Sequence, residues 1–312
     1  MAKRVLITGA SGFIGRHCVP HLVERGFEVH AVSLRSRPPE AEVRWHTVDL
    51  LDEGQIGRVL DDVRPTYLLH LAWVTEPGRY QRSEDNLRWV QASLSLLRGL
   101  QRAGGQRVVM AGSCAEYDQR YGYCSEGVTP LAPVTPYGVC KHATQLMLAA
   151  FSELAGLSSA WGRVFSVYGP HEHPERLVAS VARALLGGRE ALCTAGVQVR
   201  DYLYVEDAAT AFVALLDSGV TGPVNIASGR GIVVRDLVQT LGEVCGRTEL
   251  VRLGALSTRG DEPLVIFGDS GRLRSTVGWA PRWELRAGLE ETVRWWLGAR
   301  RASGRDDSAI DR

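Results

Sequence analysis

The sequence predicts an α/β protein: a doubly wound parallel sheet with helices on both faces, followed by a smaller C-terminal α/β lobe. Three observations carry this. Apolar strand-like runs alternate with helical stretches through the first half, as βαβ units require. The first strands lack the apolar–polar alternation of a sheet with a wet face, which fits burial on both sides. And Thr8-Gly9-Ala10-Ser11-Gly12-Phe13-Ile14-Gly15 follows the first strand directly and leads into a helix.

In chain order, Val5–Thr8 is the first strand, and Gly15–Arg25 a helix stopped by Gly26 just past its end. Glu28–Ser33 and Val43–Val48 are strands, Glu53–Val63 a helix and Tyr67–Ala72 a strand. Asn86–Ala103 is a long helix ending at Gly104-Gly105, before the strand Arg107–Ala111. Pro136–Leu154 is a helix with proline in its first turn, and Ser159–Phe165 a strand. After Tyr168-Gly169-Pro170 the texture changes: His171–Arg176 is loop-like, Leu177–Leu186 helical, and later pieces are shorter. The expected division is a dinucleotide-binding domain over 1–169, a lobe over 170–301 with excursions back to the sheet, and a disordered polar tail over 302–312.

Composition removes several function classes. The 312 residues carry a net charge of +1, which gives no electrostatic case for nucleic acid or an anionic membrane as partner. No apolar run approaches a membrane span, and Val5-Leu6-Ile7 is too short for a signal h-region, so a cytoplasmic location is expected. The six cysteines have no C-x-x-C pair and are expected as free thiols; no metal site is expected.

The glycines suggest the ligand. In a strand–turn–helix setting, Gly9 permits the sharp turn, Gly12 lets backbone approach a pyrophosphate, and Gly15 lets the helix pack closely, with its N-terminus toward the phosphates. Gly9, Ser11, Gly12, Phe13, Ile14 and Gly15 are therefore candidate dinucleotide contacts. An acidic residue at the end of the second strand would bind a ribose 2′-hydroxyl. Here stand Ser33, Arg35 and Arg37 instead, and guanidiniums suit a 2′-phosphate. NADP(H) is favoured, with NAD(H) the alternative.

Tyr137 and Lys141 stand four apart near a helix start and share a face. A nearby ammonium favours the phenolate and brings the phenol into useful range for proton transfer.

Together with Thr8–Gly15, Asp49-Leu50, His70-Leu71-Ala72, Ser113, Tyr137/Lys141, Arg163–Pro170 and Arg200–Asp207 stand in an order that resembles the extended short-chain dehydrogenases/reductases. More narrowly, the chain resembles their nucleotide-sugar epimerase/dehydratase/ketoreductase branch, over about residues 3–298. The resemblance implies a Rossmann-type domain carrying the cofactor and a lobe closing over an NDP-sugar. It implies Ser113, Tyr137 and Lys141 as catalytic residues, with Asp49 and Leu50 by the adenine and Leu71 and Ala72 along the cofactor. It places Ser166, Arg200, Tyr202, Asn225 and Arg259 on the substrate side, Arg200 at the diphosphate. A homodimer through Asn86–Ala103 and Pro136–Leu154 is also implied.

Departures narrow the reaction. The family's sugar 4,6-dehydratases place an Asp-Glu pair directly after the catalytic residue, whereas this chain has Cys114 and Ala115. Glu116, one place late, is expected on the substrate side without the acid's role. Ser166 replaces the asparagine of many epimerases, and residues 118–126 look like an insertion beside the sugar. The expected function is NADPH-dependent reduction of an NDP-4-keto-6-deoxyhexose. The alternatives are a 4-epimerase with bound NAD and a non-catalytic dinucleotide-binding regulator.

Overall fold

The computed structural model describes residues 3–38, 40–258, 260 and 262–302; Arg259 and the expected tail from 303 onward lie outside them. The chain begins with β1 (Arg4–Thr8), α1 (Gly15–Glu24), β2 (Glu28–Ser33), β3 (Val43–Thr47), α2 (Glu53–Val63), β4 (Tyr67–His70) and α3 (Asp85–Arg102). It continues with β5 (Arg107–Ser113), the short β6 (Tyr123–Cys124), α4 (Pro136–Ala155), β7 (Ser158–Val164) and β8 (Ser166–Tyr168). Then come α5 (Leu177–Leu186), β9 (Ala191–Leu192), β10 (Val199–Arg200), β11 (Tyr202–Tyr204), α6 (Val205–Asp217) and β12 (Gly222–Ile226). Last are β13 (Ile232–Val233), α7 (Val234–Val244), β14 (Val251–Arg252), β15 (Val265–Gly268), α8 (Gly271–Ser275) and α9 (Leu285–Ala302).

Seven strands form one sheet in the order β12-β7-β5-β4-β1-β2-β3, all neighbours parallel. The order reverses between β1 and β4, and a doubly wound sheet opens its ligand crevice at the strand ends there. One face packs on α1 and α6 through Cys18, Val19, Leu22, Ala208 and Phe212. The other packs on α2, α3 and α4 through Ile56, Leu60, Leu96, Leu100 and Leu148. Strands covered on both sides read as unbroken apolar runs, which is why β1 and β4 show no alternation.

The excursion back to the sheet is α6 and β12, the latter paired with β7. A separate cluster joins α5, α7 and α9 through Val178, Leu185, Leu237, Leu241, Leu289 and Trp296. A four-stranded sheet, β13-β10-β15-β6, borrows β6 from the first half. That pairing corrects the expectation for residues 118–126: they turn toward β15 and line neither of the two cavities described below. Among the described residues no helix is long and apolar enough to cross a membrane, and all six cysteines are free thiols. On the long helices expected to pair two copies, Leu97 is core, while Leu87, Val139, Leu146 and Leu154 are exposed.

Candidate active site

The turn after β1 closes because its glycines admit backbone where a side chain would stand. Gly9 has φ +68°, and a Cβ there would lie 2.8 Å from the Ala72 nitrogen. A Cβ on Gly15 would lie 2.0 Å from the Gly9 carbonyl oxygen. The Gly12 N–H donates to the Gly9 carbonyl at 2.9 Å. Gly12 braces the turn and offers a bare Cα to the cavity above.

That cavity, of about 750 Å³, is lined by the glycine turn, Leu71 and Ala72 after β4, Ser113 and Cys114 after β5, Tyr137 and Lys141 of α4, and Ser166 and Tyr202. Phe13 and Ile14 also line it. Ser113, Tyr137 and Lys141 are brought together by local sequence. Ser113 ends β5 and its Oγ accepts from the Ala115 N–H at 3.2 Å. The Thr135 side chain caps α4 by accepting from the Gly138 N–H at 3.1 Å, with Pro136 in the first turn. A Cβ on Gly138 would lie 2.5 Å from the Ala115 carbonyl oxygen, so glycine lets α4 approach the 114–116 turn. Ser113 and Tyr137 thereby face the same cavity.

Burial sets the protonation states. It raises the Tyr137 phenol well above its ordinary value, against the Ser113 hydrogen bond, so this phenol holds its proton and is a donor. Burial also carries Lys141 down to about 7, against the attraction of Glu116. The Lys141 Nζ donates to the Ala111 carbonyl at 2.8 Å and stands 3.7 Å from the Trp73 ring centroid. His70 is neutral, pushed down to about 3 by burial and then by Lys141. Its Nδ1 is 2.6 Å from the Thr8 Oγ1, tying β4 to β1.

Three expected substrate contacts stand elsewhere. Glu116 is fully buried and ion-paired with Arg163 at 2.7 Å, because its carboxylate turns inward under Ser113. The Arg200 guanidinium is held by Glu262 at 2.7 Å and by the carbonyls of Val199, Leu264 and Pro263, outside the cavity lining. Asn225 is spent on the Tyr117 hydroxyl and the Cys124 and Asp269 carbonyls. Arg259 lies outside the described residues.

Near the expected adenine end, Asp49 accepts from the Leu51 N–H and Leu50 is core. The Ser33 hydroxyl is turned onto the Arg35 carbonyl, and Arg35 is exposed. A second cavity of about 600 Å³ includes Ser11, Arg16, Arg37 and Trp45 in its wall. Burial and the charge of Arg37 hold Arg16 below its ordinary value, so two guanidiniums face one space.

The sequence reading missed Trp73, Tyr80, Glu172, His173 and Arg176, all of which line the main cavity. The Tyr80 ring meets Tyr137 edge-on at 4.8 Å, and the Arg176 guanidinium lies 5.4 Å from the Tyr80 centroid. Trp73 directly follows the His70-Leu71-Ala72 run and was the legible signal; Glu172 and Arg176 sit in a polar loop that carries none.

A family model described as the NAD dependent epimerase/dehydratase family matches residues 5–227. The chain is 31% identical over 324 residues to the UDP-glucose 4-epimerase of Azospirillum brasilense, covering 95% of this chain and 92% of that one. It is 27% identical over 320 residues to the GDP-6-deoxy-D-mannose reductase of Pseudomonas aeruginosa, covering 95% and 98%. The solved UDP-glucose 4-epimerase of Thermus thermophilus, a complex with NAD, superposes with a TM-score of 0.81 at 28% identity, covering 95% and 99%.

Proposed function

Since the chain belongs to the NAD dependent epimerase/dehydratase family, we propose that it reduces the C4 ketone of an NDP-4-keto-6-deoxyhexose, with NADPH favoured. The observation that carries this reading is that Ser113, Tyr137 and Lys141 line one cavity, while Glu116, the acid nearest Ser113 in sequence, is ion-paired with Arg163. The turn fits a dinucleotide, because a Cβ on Gly9 or Gly15 would fill its cradle. Lys141, Ala72 and the bare Gly12 face the same cavity.

When bound, the nicotinamide supplies the hydride. The chain's part is to bind, orient and move one proton. Ser113 polarises the ketone and Tyr137 gives its proton to the alkoxide oxygen as charge develops there. The Lys141 ammonium holds ribose hydroxyls and stabilises the phenolate left behind. Dehydration needs an acid and a base next to Ser113; Cys114 and Ala115 supply neither, and Glu116 is locked to Arg163. Arg16, Arg35 and Arg37 support the phosphorylated cofactor.

Several relatives named UDP-glucose 4-epimerases favour a second reading, 4-epimerisation with retained NAD. The two separate in one assay. Reduced-nicotinamide absorbance is followed with NADPH or NADH and dTDP-4-keto-6-deoxyglucose, with Tyr137→Phe as control. Stoichiometric oxidation lost in the variant is expected. No oxidation, with NAD released on denaturation, turns the assignment to the epimerase. The exposed apolar residues of α3 and α4 support the dimer, which light scattering tests.

A further inference from the structure

Glu116 lines neither of the two cavities described above, yet it touches much of what builds the site. One carboxylate oxygen accepts the Ser113 backbone N–H at 2.7 Å and the Trp161 indole N–H at 2.9 Å. The other accepts from the Arg163 Nε at 2.7 Å. Arg163 donates on to the Tyr117 hydroxyl at 3.2 Å, and that hydroxyl to Asn225 at 2.7 Å. Both charged side chains are essentially sealed, at 0% and 1% exposure. A buried ion pair is commonly no more stabilising than apolar residues of the same volume, so its presence under the site asks for a further reason.

Lys141 supplies that reason. The groups around its ammonium are the Trp73 and Tyr137 rings, the Ala111 carbonyl, neutral His70 and the Trp161 ring, 6.0 Å away; that indole's N–H donates to the Glu116 carboxylate, which has Arg163 on its far oxygen. Rings and a carbonyl solvate an ammonium weakly, and burial drives it toward the neutral amine. Glu116 is the acid whose charge opposes that loss. We propose that Glu116 is a positioning residue that fixes the Ser113 backbone and supplies the negative charge holding Lys141 in its ammonium form. The turnover consequence rests on the reductase reading; the consequence for dinucleotide binding does not.

The test compares wild type, Glu116→Gln, and Glu116→Gln with Arg163→Gln, reading NADPH and NADH binding by fluorescence, and turnover, as functions of pH. Glu116→Gln alone leaves Arg163 buried and unpaired and is expected to lower Tm. The double variant removes both charges and keeps the fold testable. In wild type, affinity and kcat fall as pH rises through the Lys141 titration. In the double variant that alkaline limb moves to lower pH by about one unit, and Glu116→Asp, which keeps the charge, restores it. A folded double variant with an unmoved limb, or a wild type with no limb in binding, overturns the proposal. Absence of turnover with a shifted binding limb instead overturns the reductase reading and leaves this one standing.

Discussion

The Lys141 ammonium stands 3.7 Å from the centroid of the Trp73 indole, and that indole's N–H donates to the Asn86 Oδ1 at 2.8 Å. Asn86 in turn donates to the Tyr80 and Ser83 carbonyls, so α3 and the 80–83 turn fix the ring that fixes the lysine. The cation is placed before any ligand arrives, which lowers the ordering cost of binding.

Trp73→Leu keeps apolar bulk and removes the ring. A desolvated cation–π contact is worth about 1–2 kcal/mol, so dinucleotide affinity is expected to fall about 5- to 30-fold. Fluorescence titration measures it. Unchanged affinity would show that the Ala111 carbonyl alone holds Lys141 in place.

Glu172 makes a pH-dependent prediction. It is 6% exposed, and its Oε2 has no hydrogen-bond partner among the described residues. Burial pushes its carboxyl up to about 8, against Arg176 and the Ala179 and Gly169 backbone. A folded value above the unfolded one, about 4.3, means the folded state keeps a proton that the unfolded chain has released. Stability contributed by this group is therefore full below the unfolded value and is lost as pH rises through the folded one. Glu172→Gln removes the slope. Its Tm should match wild type in acid and exceed it by about 2–4 °C or more above the folded value, by calorimetry at both ends. A constant offset at both pH values would assign the effect to packing.

Much of this architecture was legible in the chain. The first-half strands came from apolar runs bounded by glycines, because a strand covered on both faces leaves a plain apolar signature. The trio Ser113, Tyr137 and Lys141 was legible because Tyr137 and Lys141 share one helix face and the motifs around them keep a fixed order. What failed did so for a tertiary reason. Nothing local distinguishes an Arg200 that faces a ligand from one that meets Glu262, sixty-two residues away. Glu116 and Asn225 looked polar and therefore available, while the fold spends both on buried partners.

Cofactor choice gives a prediction with two ligands. Arg37 lies 5.7 Å from the Trp45 ring centroid, in the wall it shares with Arg16. A charge-assisted hydrogen bond contributes about 1.5–3 kcal/mol. Arg37→Ala should therefore weaken NADPH by about tenfold or more and leave NADH unchanged, and Arg35→Ala should act in the same direction. Equal effects on both dinucleotides would remove the 2′-phosphate from the argument and favour NAD.

Gly15 and Gly26 separate close packing from backbone freedom. A Cβ on Gly15 would stand 2.0 Å from the Gly9 carbonyl oxygen and 3.0 Å from the Ala10 Cα. That carbonyl holds the turn through the Gly12 N–H, and α1 cannot retreat because Cys18, Val19 and Leu22 are packed in the core. Gly15→Ala is expected to cost about 1–3 kcal/mol or more and to abolish measurable dinucleotide binding, because the whole turn must open. Gly26, at φ +74° with no atom within 4 Å of an added Cβ, is the control. Gly26→Ala should lower Tm through backbone strain alone, about 1–2 kcal/mol, with binding intact. Calorimetry and fluorescence titration on the two variants together decide the matter. A Gly15→Ala protein that binds like wild type would mean the turn yields, and that the three glycines serve the turn rather than the ligand.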